Sequence, residues 1–183
     1  MEASRKTSAA NSAQDAVSLL QADHKQVKDW FEAFEKATSA AKRKQLATDI
    51  CNALMIHSEI EEEIFYPAFL DATQDKDTHH EAVVEHTGAK ELVAQIQASD
   101  PSDDYYHSKV HVLSEMIKHH VHEEEKPGGM FAEAKACKEL DLTALGEKLS
   151  SQSSAANPNG TIWLRCRAST RRRPTDGCVR RGC

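Results

Sequence analysis

Two stretches of this chain place a histidine four residues ahead of a glutamate: His57-Ser58-Glu59-Ile60-Glu61 and His120-Val121-His122-Glu123-Glu124. On a helix that spacing is about one turn, so imidazole and carboxylate leave the same face close together. Such a pair can hold one metal ion, or one each of two adjacent ions. Two further histidines, His24 and His86, lie in two other amphipathic segments. The four segments therefore read, in order, His, His-x3-Glu, His, His-x3-Glu. Nitrogen and carboxylate donors without cysteine suit non-haem iron better than a structural zinc site, with zinc and manganese left open.

The segments that must position these donors are helical by their periodicity. The first runs from Ala13 to Ala37, with Val17, Leu20, Val27, Phe31 and Phe34 at mostly three- and four-residue intervals. Its one long gap, Leu20 to Val27, is filled by His24, which thus occupies a core position. The second runs from Ala41 to Leu70 along the stripe Leu46, Ile50, Leu54, His57, Glu61, Ile64 and Phe65, and Pro67 should kink or end its last turns. The third opens on Thr78-His79-His80-Glu81, a capping box, and carries Val83, His86, Val93 and Ile96. The fourth starts near Ser102 or Asp103 and carries Tyr106, Val110, Leu113, Ile117, His120, Val121 and Glu124. Lys126-Pro127-Gly128-Gly129 must break it. A short helix from Met130 to about Lys138 follows, and Leu142 to Leu149 should cover one end. Four long helices with short connections predict an all-α, up-down-up-down four-helix bundle. In that topology the four histidines can share one level.

Composition limits the alternatives. The 183 residues suffice for one domain with a real core, and 39% hydrophobic with 28% charged is the profile of a soluble helical protein. Residues 157–183 hold seven Arg and one Asp, against 16 Lys and Arg and 28 Asp and Glu in the rest. An acidic body of this kind is not expected to bind nucleic acid. Five cysteines without a CxxC pair suggest a reducing compartment rather than a disulfide framework. Neither a signal segment nor a membrane span is legible, so a cytoplasmic protein is expected. The expected organisation is a disordered 1–12, a bundle over 13–149 and a low-order basic tail over 150–183. Within that tail Ser150 to Ser154 has a linker composition, and the arginine- and cysteine-rich end reads as frame-shifted or appended sequence.

Six polar residues inside four apolar stripes would be costly without compensation, and metal ions compensate them better than mutual salt bridges. His79, His80, His107 and His111 are expected on the surface. His119 with Glu123 repeats the four-residue spacing and is the rival register. His120 with Glu124 is preferred because it continues Leu113 and Ile117. Glu59, Glu62, Glu63, Glu123 and Glu125 are expected to be solvated or to orient ligands. A ferritin-like di-metal design needs Glu-x-x-His, which no histidine here satisfies. There is also no His-Glu-x-x-His, phosphate loop or serine nucleophile motif.

The phrases Asp23-His24, His57-Ser58-Glu59-Ile60-Glu61-Glu62-Glu63-Ile64-Phe65-Tyr66-Pro67, His86 and His120-Val121-His122-Glu123-Glu124-Glu125 resemble the hemerythrin family, specifically its HHE cation-binding domains, over about residues 13–137. The resemblance implies a four-helix bundle around a di-iron centre. It also implies that Glu61 and Glu124 bridge two iron ions and that His24, His57, His86 and His120 are terminal ligands. One departure is clear. Respiratory members carry a second histidine four residues from the one in helix three, where this chain has Ala82 and Lys90. That position would be open, or filled by water, Glu or Tyr. The expected function is binding or sensing of O2, NO or redox state at the metal pair. An enzyme consuming peroxide or reducing O2 is the alternative, and a metal-independent helical interaction module the third reading.

Overall fold

The computed structural model describes residues 14–156. The elements are α1 (Ala16–Lys36), α2 (Ala40–Ile60), a π-helical turn (Glu61–Phe65), α3 (Tyr66–Thr73), α4 (Lys76–Ala98), α5 (Tyr106–Glu125), α6 (Met130–Ala136) and α7 (Leu142–Ala156). Helix α1 packs on α2, α2 on α4, α4 on α5, and α5 back on α1, closing the predicted four-helix bundle. Among the described residues no helix is long and apolar enough to cross a membrane.

Local chemistry sets the ends of these helices. The carboxylates of Asp15 and Asp75 and the hydroxyl of Ser39 accept from backbone N–H groups of the first turns of α1, α4 and α2. The cap of α4 is thus Asp75, not the predicted Thr78, and the helix begins before that capping box. Gln74 ends α3 in the left-handed region, φ 62°. Helix α5 starts at Tyr106, later than expected, after a turn in which Asp103 accepts from the N–H groups of Tyr105 and Tyr106. After α5 a Cβ on Gly129 would collide with the Glu123 carbonyl, so glycine is what lets the chain fold α6 back at once.

Pro67 does not end the helix. Proline cannot donate to the carbonyl four residues back, and its ring crowds that carbonyl. The helix answers by widening: the Tyr66 N–H donates to the Glu61 carbonyl, five residues back. The predicted single helix therefore continues through a π turn into α3 rather than stopping.

The core falls into two clusters. One contains Val27, Phe31, Leu54, Ala89 and Leu113; the other contains Leu20, Ile60, Ala82, Phe65 and Met130. Three of the four long helices, α1, α2 and α4, change from one cluster to the other where their inner histidine stands, and His120 on α5 meets His86 at that level. His24 lies between Leu20 and Val27, His57 between Leu54 and Ile60, and His86 between Ala82 and Ala89. The four histidines therefore share one level of the bundle. Helix α7 caps the second cluster with Leu145 and Leu149 and runs on to Ala156, so Ser150 to Ser154 are helical and not the expected linker. The expectations for residues 1–12 and 157–183 lie outside the described residues.

Candidate metal centre

His24, His57, Glu61, His86, His120 and Glu124 are all buried, and the two glutamates are 0% and 2% exposed. Unpaired carboxylates at such depth would be expensive, so the meaning of the site lies in what faces them.

The histidines meet as two pairs. His24 Nε2 lies 3.0 Å from His57 Nε2, and His86 Nε2 lies 3.1 Å from His120 Nε2. The two carboxylates link the pairs crosswise. Glu61 Oε2 is 3.2 Å from His57 Nε2 and 3.4 Å from His86 Nε2. Glu124 Oε2 is 3.4 Å from His24 Nε2 and 3.6 Å from His120 Nε2. Each glutamate thus touches one histidine of each pair.

A second layer of carboxylates holds the outer ring nitrogens. His24 Nδ1 meets Glu125 at 2.8 Å, His86 Nδ1 meets Glu62 at 2.9 Å, and His120 Nδ1 meets Glu85 at 2.8 Å. His57 Nδ1 sits 3.5 Å from Asp23, too far for a full hydrogen bond. Every one of these carboxylates is the sequence neighbour of an inner residue, yet orients an inner histidine on the next helix. Asp23 on α1 serves α2, Glu62 serves α4, Glu85 on α4 serves α5, and Glu125 on α5 serves α1. A carboxylate on Nδ1 keeps the ring proton there and turns the Nε2 lone pair inward. Lys90 in turn holds Glu62, at 2.7 and 2.8 Å.

The π turn brings Tyr66 onto the same side as Glu61. Residues five apart diverge on an α-helix but align when the hydrogen bond spans five. The Tyr66 hydroxyl donates to Glu124 Oε1 at 2.9 Å and reaches Glu61 Oε2 at 3.4 Å and His86 Nε2 at 3.3 Å. Burial, then the charges of Glu61 and Glu124, push its phenol well above the ordinary tyrosine range.

Electrostatics separate the two glutamates. Burial opposes charge on Glu61, but His57 and His86 outweigh it and hold its carboxyl well below the usual range. Burial and the neighbouring Glu61 push Glu124 up to about 8. Burial also opposes charge on His57, yet Glu61 and Asp23 outweigh it and raise that imidazole well above its ordinary value. His24 is lowered, by burial first.

The donor set fits metal ions. Two lone pairs cannot face each other at 3 Å without a proton or a cation between them. Two donors about 2.1 Å from one ion and at right angles stand about 3 Å apart, which is the separation within each histidine pair. Glu61 Oε1 and Glu124 Oε2 are buried without a hydrogen-bond partner. Acceptor atoms left this way at the centre of a fold are available to a cation. The triads His24–His57–Glu61 and Glu61–His86–His120 each bring three donor atoms within 4.8 Å of one another.

All six residues singled out in the sequence thus meet at one place. The register is that of His120 and Glu124. His119 points outward, 62% exposed at its side chain, and Glu123 pairs with Lys126. Glu125 and Glu62 bond the outer nitrogens of His24 and His86, while Glu59 and Glu63 are exposed. His79 is not fully on the surface as expected: it is half-buried, its ring edge-on to Tyr66. The roles of Asp23, Glu85 and Tyr66 were missed. The available signal was the carboxylate next to each inner residue and the proline that forces the π turn.

The model of the hemerythrin HHE cation-binding domain matches residues 15–127. The chain belongs to the hemerythrin HHE family. That family is described as cation-binding, and the His and Glu clusters here could hold such ions. The fold agrees with the crystal structure of an HHE domain-containing protein from Mycobacterium kansasii, with a TM-score of 0.65, 22% identity, and cover of 80% of this chain and 89% of that one. In sequence the chain is similar to a DNA nickase of Nostoc sp., 29% identical over 107 residues, or 58% of this chain. The matched part spans 30% of that protein's length.

Proposed function

We propose that this HHE bundle holds two iron ions, with His24 and His57 on one, His86 and His120 on the other, and Glu61 and Glu124 shared between them. The observation that carries the reading is the pair of facing Nε2 contacts at 3.0 and 3.1 Å, each touched by both glutamates. When bound, iron would supply redox electrons and open coordination positions for a small ligand. The chain's own part is to fix the donors, exclude water and manage protons.

A cavity of about 20 Å³ beside the histidines is walled by Val27, Leu54, Ala89, Val93 and Ile117. It has room for one small molecule and offers it apolar surface. That favours a diatomic such as O2 or NO as the ligand bound or sensed. Leu20, Leu113 and Ile60 pack in the core clusters and do not line this cavity. Anaerobically reduced, iron-loaded protein should develop a charge-transfer band in air and lose it again on removal of O2. Iron-loaded protein that develops no such band contradicts the reading.

One observation favours a second reading, an enzyme consuming peroxide or reducing O2. The Tyr66 hydroxyl stands 2.9 Å from Glu124 and 3.3 Å from His86, where it could pass a proton to a bound ligand. Rapid peroxide turnover that falls in Tyr66→Phe would select this reading over reversible binding. The nickase name of the relative is not carried over, because the matched part spans 30% of that protein's length and the net charge of this chain is acidic.

A further inference from the structure

Outside the centre lies a second group of ligand-type side chains. Glu81, Glu85 and His119 bring three donor atoms within 4.8 Å of one another near the surface. Glu85 belongs to both layers: one oxygen meets His119 Nε2 at 3.1 Å, the other meets His120 Nδ1 at 2.8 Å. A cavity of about 170 Å³ begins at Glu81, Glu85 and Glu123 and reaches the buried His120 and Glu124. Glu124 is 2% exposed, lines this cavity, and keeps an oxygen without a hydrogen-bond partner. Lys126 is the cavity's one lysine, and it is engaged by Glu123. The wider groove between α1 and α5, about 1020 Å³, also reaches the centre, at His24, but Lys25, Lys28 and Lys118 are among its walls. Glu32, Glu35 and Glu125 also line that groove, so its charges nearly balance, whereas four glutamates face one lysine in the first cavity, which is the more attractive to cations.

We propose that Glu81, Glu85 and His119 form an outer docking site for a divalent cation, from which ions pass along this cavity to His120 and Glu124. The inference rests on the reading of the inner centre as a cation site. Two of the outer donors, Glu81 and His119, are exposed and free to exchange water, so the site holds an ion briefly. The inner donors are buried and fixed, so they hold it long. Glu85, bonded on both sides, is the hinge of the handover.

The test is uptake of Co2+ by the metal-free full-length protein, followed by stopped-flow absorption. Glu81→Gln and His119→Ala together should slow uptake about tenfold, the lower end of the range for electrostatic focusing. The final Co2+ count and final spectrum should match the wild type. Glu32→Gln, which removes the same charge from the other groove, should leave the rate unchanged. A wild-type rate in the double variant overturns the proposal. So does equal slowing by Glu32→Gln, which would make the effect one of net charge, and so does a lower final Co2+ count in the double variant. Wild-type protein that takes up no Co2+ overturns the inner centre itself and the port with it.

Discussion

Glu85 stands beside His86 in the sequence but orients His120, on the next helix, at 2.8 Å. The same displacement by one helix recurs with Asp23, Glu62 and Glu125, so the inner donors are steered by a ring of carboxylates running round the bundle. Any one helix therefore both supplies a donor and aims its neighbour's. This couples helix packing to donor geometry, since sliding one helix misaims two histidines.

Glu85→Gln, Glu62→Gln and Glu125→Gln should each lower metal affinity by about 10- to 100-fold without removing a donor, the usual scale for such outer partners. Asp23→Asn should cost least, because its contact with His57 is the longest of the four, 3.5 Å. Competition with a chromophoric chelator measures this. Equal losses in all four, or none, would show that the ring does not aim the histidines.

The two registers of the second motif separate cleanly by substitution. His120→Ala or Glu124→Ala should lower the metal content at equilibrium, and His119→Ala or Glu123→Ala should leave it unchanged. Metal analysis after dialysis reads this directly.

Much of the centre was legible because a buried imidazole or carboxylate breaks an apolar stripe in a way periodicity exposes. His24 in the gap between Leu20 and Val27 is the clearest case. What escaped notice depends on distances across helices, which spacing along one helix does not encode. Glu85 looks like any exposed glutamate until α5 is placed beside it. Tyr66 is five residues after Glu61, out of phase on an α-helix, and only the π turn forced near Pro67 aligns them. The helix through Ser150 to Ser154 escaped for a different reason: its serines have weak helix propensity, and Leu145 and Leu149 anchor the segment by packing.

Tyr66→Phe removes the donor that satisfies Glu124 Oε1. Metal-free protein should lose about 1–3 kcal/mol, the scale for a buried group left unsatisfied. Urea unfolding of the metal-free variant measures it, and the metal count of the loaded variant should stay at the wild-type value. Unchanged metal-free stability would mean the phenol is not bonded to that carboxylate.

The stability of metal-free protein should depend on pH with a definite sign. Glu124 is raised from 4.5 to about 8, so the folded state keeps a proton that the unfolded state loses above 4.5, and stability falls as pH rises from there to about 8. His57, raised above 6.5, acts in the same direction: its contribution is complete below 6.5 and is lost as pH passes its folded value. Glu61, lowered below 4.5, contributes above 4.5 and loses that contribution in acid. His24, lowered below 6.5, gains stability as pH rises to 6.5 and offsets the Glu124 loss there, so metal-free protein should be most stable between about pH 4.5 and 6.5 and weaken steadily toward pH 8. Thermal denaturation across this range tests it, and a maximum at or above pH 8 would reverse the assignment of charges.

The most direct measurement is the iron content per chain of protein purified without added chelator, beside that of Glu61→Ala. Two ions per chain in the wild type, lost in the variant, is the expected result. Fewer than about one equivalent of iron, zinc or manganese in the wild type, with folding unchanged by chelator, would contradict it and leave a helical module whose histidine and glutamate pairs are structural.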